Sequence, residues 1–159
     1  MNPAYRIERD DLTRPEVRDL LRLHVREALS WSPPSTGHAM EPEALLQPDI
    51  AVFSAWDGET LAAVGALREL PGEVGELKAM RAAPNYRGKG AGAAILSHLV
   101  DTAQAKGMAR ILLETGNTPG FAPAVRLYER FGFTRCAPFG EHVDDGFSIC
   151  MAMDLPAST

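Results

Sequence analysis

The stretch Arg87-Gly88-Lys89-Gly90-Ala91-Gly92 runs straight into Ala93-Ala94-Ile95-Leu96, so three alternating glycines stand where a loop becomes a helix. Glycine admits positive φ and lets a ligand approach bare N–H groups. The first turn of a helix leaves N–H groups unpaired and carries partial positive charge. Together these form a cradle for phosphate oxygens, and Arg87 and Lys89 set two full charges beside it. The chemistry this suits is binding the diphosphate of a nucleotide-bearing cofactor. A P-loop is excluded, because no Gly-Lys pair is followed by Ser or Thr. A dinucleotide fingerprint does match at Gly88, Gly90 and Ala93, with the acid Glu114 about 20 residues further on. Against it, Ala82 to Arg87 intervene between the preceding strand-like run and the first glycine, and the motif sits in mid-chain.

A second block lies downstream at Ala124-Val125-Arg126-Leu127-Tyr128-Glu129-Arg130-Phe131-Gly132-Phe133. With this block and with Pro84 three residues before Arg87, the chain resembles the acetyl-coenzyme A-dependent Gcn5-related N-acetyltransferases, the GNAT superfamily. Their hallmark is [RQ]-x-x-G-x-[GA], here residues 87–92, and after it an Ala-x-x-Leu-Tyr-Glu-x-x-Gly-Phe block. The resemblance covers residues 50–155 well and residues 1–49 in outline.

The resemblance implies a set of roles. Arg87, Gly88, Lys89, Gly90, Ala91 and Gly92 would hold the coenzyme diphosphate, chiefly through backbone N–H groups. Met80, Arg81 and Ala82, on the strand before the loop, would pair with the pantetheine arm through their backbone. Tyr128 would protonate the departing thiolate, and a phenol suits that task because it stays protonated at neutral pH. Glu76 is the first candidate for the base that takes a proton from the attacking ammonium, and Glu114 the second. Strand alternation would put Glu76, Lys78, Met80 and Ala82 on one face. The family often carries Asn three residues before the alanine of the Leu-Tyr block. Phe121 stands there instead, and the nearby Asn117 is the substitute expected at the coenzyme. At the acceptor end the expected residues are His38, in a Pro-rich loop, together with Glu114, Glu141 and His142. Glu141, Asp144 and Asp145 would make the last loop attractive to a cationic amine. His24 and His98 read as structural.

These residues need elements to place them. A short strand is predicted at residues 5–8. A helix begins with Thr13 as cap, Pro15 in the first turn and Glu16 three after the cap, and Val17, Leu20, Leu21, Val25 and Ala28 recur at helical spacing. A loop covers 31–37 and a short helix 42–46. Strands at 50–56 and 61–67 flank the hairpin signal Asp57-Gly58. A strand at 75–82 leads to the phosphate loop. A helix at 91–106, with Ala94, Ile95, His98, Leu99 and Thr102 on its stripe, is capped by Gly107. A strand at 109–114, a helix at 123–131 and strands at 134–137 and 147–153 complete the chain. The expected fold class is α/β (α+β): a mixed, mostly antiparallel sheet of six to seven strands flanked by helices, in one domain spanning 1–159.

Composition bounds the rest. The 159 residues suffice for a real core, and 45% hydrophobic and 23% charged residues are ordinary for a globular chain. A net charge of −5 gives no support for a nucleic-acid partner. Cys136 and Cys150 lack metal spacing and suggest no disulfide framework, so no metal is expected and a cytoplasmic location is the default. The N-terminus shows no signal-peptide core, and no apolar run is long enough for a bilayer. The expected function is acetyl transfer from acetyl-coenzyme A to a primary amine of a small molecule, in a ternary complex. A non-catalytic acyl-coenzyme A sensor and a dinucleotide-dependent enzyme are the alternatives. A homodimer is common in the resembled superfamily.

Overall fold

The structure is a computed structural model and describes residues 5–32, 41–139 and 146–156. Seven strands form one sheet: β1 (Arg6–Arg9), β2 (Ile50–Asp57), β3 (Thr60–Leu70), β4 (Val74–Ala82), β5 (Arg110–Gly116), β6 (Thr134–Cys136) and β7 (Ser148–Asp154), in the spatial order β1-β2-β3-β4-β5-β7-β6. Every neighbouring pair is antiparallel except β4 and β5. The helices are α1 (Pro15–Trp31), α2 (Ala91–Ala105) and α3 (Ala122–Phe131), with 3-10 turns at Pro42–Leu45, Pro84–Tyr86 and Pro119–Phe121. The mixed, mostly antiparallel sheet is as expected. Among the described residues no helix is long and apolar enough to cross a membrane.

The two faces of the sheet carry separate cores. On one, Ala91, Ile95, Leu96, Leu99 and Ala103 of α2 and Tyr128 of α3 pack on Leu77, Ile111, Leu113 and Met151. On the other, Val17, Leu20 and Leu21 of α1 pack on Val52, Trp56, Val64 and Ala66. Ile95, Leu96 and Leu99 are wholly buried. Each such side chain stabilises by roughly 1.5–3 kcal/mol, and together they fix the α2 N-terminus against the end of β4.

Local expectations fail at three places. Thr13 is not the cap of α1: its hydroxyl donates to Asp11 Oδ1 at 2.6 Å, and Arg14 occupies the cap position without a side-chain bond. The buried stripe of α2 is Ala91-Ile95-Leu96-Leu99-Ala103, so Ala94, His98 and Thr102 lie on its flank. The alternation predicted along residues 76–82 breaks at Ala79, which has φ +54. Lys78 partners Ala66, whereas Arg81 partners Val64, so β4 carries one extra residue there. Such a bulge reverses the facing of the residues beyond it. Arg81 therefore joins Glu76 and Lys78 on the α1 side, while Ala82 and Met80 turn to the α2 side.

Gly65 lies opposite this bulge. A Cβ there would fall 2.7 Å from Met80 Sδ and 2.9 Å from Leu99 Cδ1, so only glycine lets α2 and Met80 close on the sheet. We expect Gly65→Val to lower stability by about 1–3 kcal/mol through overpacking. Urea denaturation should show a lower midpoint at unchanged slope; an unmoved midpoint would mean that the seam has room.

Candidate functional site

β4 and β5 pair over three residues only, Val74–Glu76 against Arg110–Leu112. Beyond Glu76 they part, because β4 stays with β3 to Ala82 while β5 stays with β7 to Gly116. The bulge at Ala79 bends β4 further aside. A cleft of about 900 Å³ fills the gap, lined by β4 from Glu76 to Ala82, β5 from Leu113 to Gly116, the phosphate loop, α3 and the last turns of α1.

The phosphate loop is built as a cradle. After the turn at Pro84–Tyr86, Gly88 has φ +72 and Gly90, the cap of α2, has φ +81. Ala94 is the first residue to bond back, donating to the Gly90 carbonyl at 2.9 Å, so Ala91 to Ala93 form the free first turn. Two tyrosines, missed in the sequence, pin the outer side. Tyr5 donates to the Lys89 carbonyl at 2.8 Å and Tyr86 to Asp57 Oδ2 at 2.7 Å. Of the six loop residues, Arg87, Gly88, Gly90 and Gly92 face the cleft, joined by Ala93. Lys89 turns its ammonium toward the Tyr86 ring, 5.7 Å from the centroid.

Where the strands part, Glu76 is buried, with Lys78 Nζ 3.1 Å from its Oε2. Glu114 lies on the same face, since its neighbour Leu113 packs on the α2 side and its own partner is Cys150. Burial pushes the Cys150 thiol up to about 11, with the Glu114 carboxylate acting in the same direction; both Cys136 and Cys150 are free. Tyr128 stands across the cleft on α3, buried, edge-on to Phe133 at 5.8 Å. Burial drives its pKa well above the ordinary range, so the phenol stays protonated. The Arg81 side chain pairs with Glu27 and lies 5.3 Å from the Trp31 ring centroid. Arg87 shares the same Glu27 oxygen at 3.0 Å.

Of the expected residues, Glu76, Met80, Arg81, Ala82, Glu114 and Tyr128 thus converge with the loop on one cleft. Asn117 does not: it is exposed and donates from Nδ2 to the Gly146 carbonyl at 3.0 Å. His24, expected to be structural, instead lines the cleft. His38, Glu141, His142, Asp144 and Asp145 lie outside the described residues. The aromatics Trp31, Phe121 and Phe147 were missed; Phe121 at the expected asparagine position was the available signal.

The model of the acetyltransferase (GNAT) family matches residues 15–133. This chain belongs to that family. The acetyltransferase is 40% identical over 151 residues to the N-acetyltransferase YedL of Escherichia coli, covering 95% of each chain. It is 33% identical over 154 residues to the IAA acetyltransferase of Azospirillum brasilense, covering 96% of this chain and 99% of that one. A Bacillus subtilis acetyltransferase solved in complex with CoA shares the fold, with a TM-score of 0.72 at 21% identity over 96% of this chain and all 100% of that one. The dinucleotide reading of Gly88, Gly90 and Ala93 falls with these findings. Among the described residues the sheet has a single parallel pair, not the repeated parallel units that such a site needs.

The cradle and the histidine beside it can each be tested. Gly90→Val forces a branched side chain into φ +81 at the cap and should abolish coenzyme binding in calorimetry while circular dichroism still reports a folded sheet; unchanged affinity would refute the cradle. His24 titrates near 4 instead of its ordinary 6.5, first through burial and then through Arg81. The unfolded chain therefore takes up this proton first as pH falls. Stability from the neutral imidazole is complete above pH 6.5 and is lost progressively toward pH 4. His24→Gln should flatten the pH dependence of stability in that window, by at most about 1.4 kcal/mol per pH unit. Identical slopes in both proteins would show that His24 is not held neutral.

Proposed function

We propose that this acetyltransferase moves the acetyl group of acetyl-CoA directly to a primary amine of a small molecule, in a ternary complex. The observation that carries this reading is the continuity of one cleft, with a phosphate cradle at one end and Glu76, Glu114 and Tyr128 where the strands part. When bound, acetyl-CoA supplies a thioester whose acyl carbon an amine can attack. The first turn of α2, with Gly88 and Gly90, would take the diphosphate, and the backbone of Met80 to Ala82 would take the amides of the pantetheine arm. The name of the Azospirillum brasilense relative supports a small acceptor.

Glu76, or Glu114, removes one proton from the attacking ammonium, directly or through a water. The Lys78 contact holds the Glu76 carboxylate in one orientation. As the C–N bond forms and the C–S bond breaks, Tyr128 delivers its proton to the leaving sulfur, and the second proton shed by the nitrogen as it becomes an amide restores the phenol, directly or through water. Holding both substrates in one cleft supplies proximity, and the buried phenol supplies the acid.

Tyr128→Phe keeps the ring and its packing on Phe133 and deletes only the hydroxyl. We expect kcat to fall roughly 10²–10⁴-fold with coenzyme affinity nearly unchanged, and the loss to shrink for an acyl donor with a better leaving group. Stopped-flow thiol release measures both. Full kcat with chemistry rate-limiting would reduce Tyr128 to a core aromatic.

A further inference from the structure

Three rings stand in series along the α1 side of the cleft. Trp31 meets Phe121 edge-on, with centroids 5.3 Å apart, and Phe121 meets Phe147 at 5.7 Å. All three line the cleft. Two glycines allow the rings to close up. A Cβ on Gly120 would fall 2.3 Å from the indole Cδ2, and one on Gly116 would fall 2.5 Å from Phe147 Cζ. Thr118 Oγ1 donates to the Trp31 carbonyl at 2.6 Å, fastening the segment after β5 to the end of α1. This apolar wall is built by three separate parts of the chain: the end of α1, β5 with the turn after it, and the residue just before β7.

Charge on the same side is sparse. Among the described residues, the carboxylates lining the cleft are Glu76 and Glu114, and Glu76 already holds Lys78. Lys78 and Arg81 flank them. A linear polyamine or an aminoglycoside would bring several ammonium groups against these cations, and like charges in a partly buried site repel strongly. One ammonium fits the two carboxylates, and among the described residues the wall beside them offers rings rather than further carboxylates. Aromatic pairs prefer edge-to-face or offset contact, which a flat ring can make with Phe121 and Phe147.

We propose that the acceptor is an arylalkylamine: a single primary amino group at Glu76 and Glu114, carried on a flat aromatic body that packs on the Trp31–Phe121–Phe147 wall. This assignment rests on the acetyl-transfer reading above and narrows it. The test compares thiol release from acetyl-CoA with 2-phenylethylamine and tryptamine against putrescine, spermidine and an aminoglycoside. It is paired with calorimetric binding of 2-phenylethylamine to the CoA-loaded protein. We expect kcat/KM at least tenfold higher for the two arylalkylamines. Phe121→Leu and Phe147→Leu should each raise the 2-phenylethylamine KM roughly tenfold, while circular dichroism still reports a folded sheet and the affinity for CoA stays close to that of the parent; Phe147 is buried, so its variant should also melt somewhat lower. Higher kcat/KM for putrescine, spermidine or the aminoglycoside would overturn the assignment. So would an unchanged 2-phenylethylamine KM in both variants, or no measurable binding of it. Absence of thiol release with every amine, beside 2-phenylethylamine binding that the two variants weaken, would fall on the transfer reading and leave the wall supported.

Discussion

A strand in the middle of a sheet normally satisfies its backbone on both edges. β4 does so on the β3 edge along most of its length but on the β5 edge for only three residues. Past Glu76 that second edge has no strand beside it, and unpaired backbone groups shielded from water are costly. The parting is therefore tolerable only where water or a ligand rich in amides can take the missing strand's place. This constraint arranges the rest of the site. The carboxylates at the fork face the gap because they flank the last paired residues. The phosphate cradle lies at the far end of the gap because the same strand runs on into the loop that opens α2. The extra residue at Ala79 widens the gap and holds it open, since a bulge increases local twist.

The same bulge decides what stands on the α1 side. By sending Arg81 there, it places a guanidinium under α1, where Glu27 and Trp31, one turn apart, receive it. The Arg81 side chain is 8% exposed, against 54% for Arg87, which shares Glu27. The exposed pair contributes little. The buried one matters mainly because losing its partner would leave a charge stranded. Through it the end of α1, and with it the indole, is held to β4. The aromatic wall and the coenzyme strand are thus parts of one rigid arrangement rather than a loop laid over a sheet.

Much of this was legible in the sequence because it rests on local chemistry. Glycines at positive φ mark the cradle, Asp57-Gly58 marks the hairpin, Gly107 ends its helix with φ +79, and Tyr128 sits in a recognisable block. What was not legible depends on packing across the sheet. Nothing local marks Ala79 as a bulge, for alanine rarely takes positive φ, so simple alternation cannot show which way Arg81 faces. Thr13 looks like a cap by type, but Asp11 competes for its hydroxyl. Asn117 is near the coenzyme position in sequence, whereas the turn before β7 claims its amide. The aromatic wall draws on residues 31, 121 and 147, too far apart in the chain for any spacing rule.

A buried phenol acting as the acid, as proposed for Tyr128, would set the character of the catalysis. Burial drives the Tyr128 pKa upward, which guarantees that the proton is present at every physiological pH but makes the acid weaker. A weaker acid transfers its proton late and gives limited driving force. The departing thiolate, whose conjugate acid has an ordinary pKa of about 8.5, is a weaker base than a phenolate, so delivery of a Tyr128 proton would be favourable only as the second proton of the attacking nitrogen replaces it. The larger share of the barrier must then fall to placement: an amine and a thioester held together where β4 and β5 part, with the carboxylates at the fork on one side and the phenol on the other. The rigid elements that carry Glu76, Glu114 and Tyr128, β4, β5 and α3, would suit that burden.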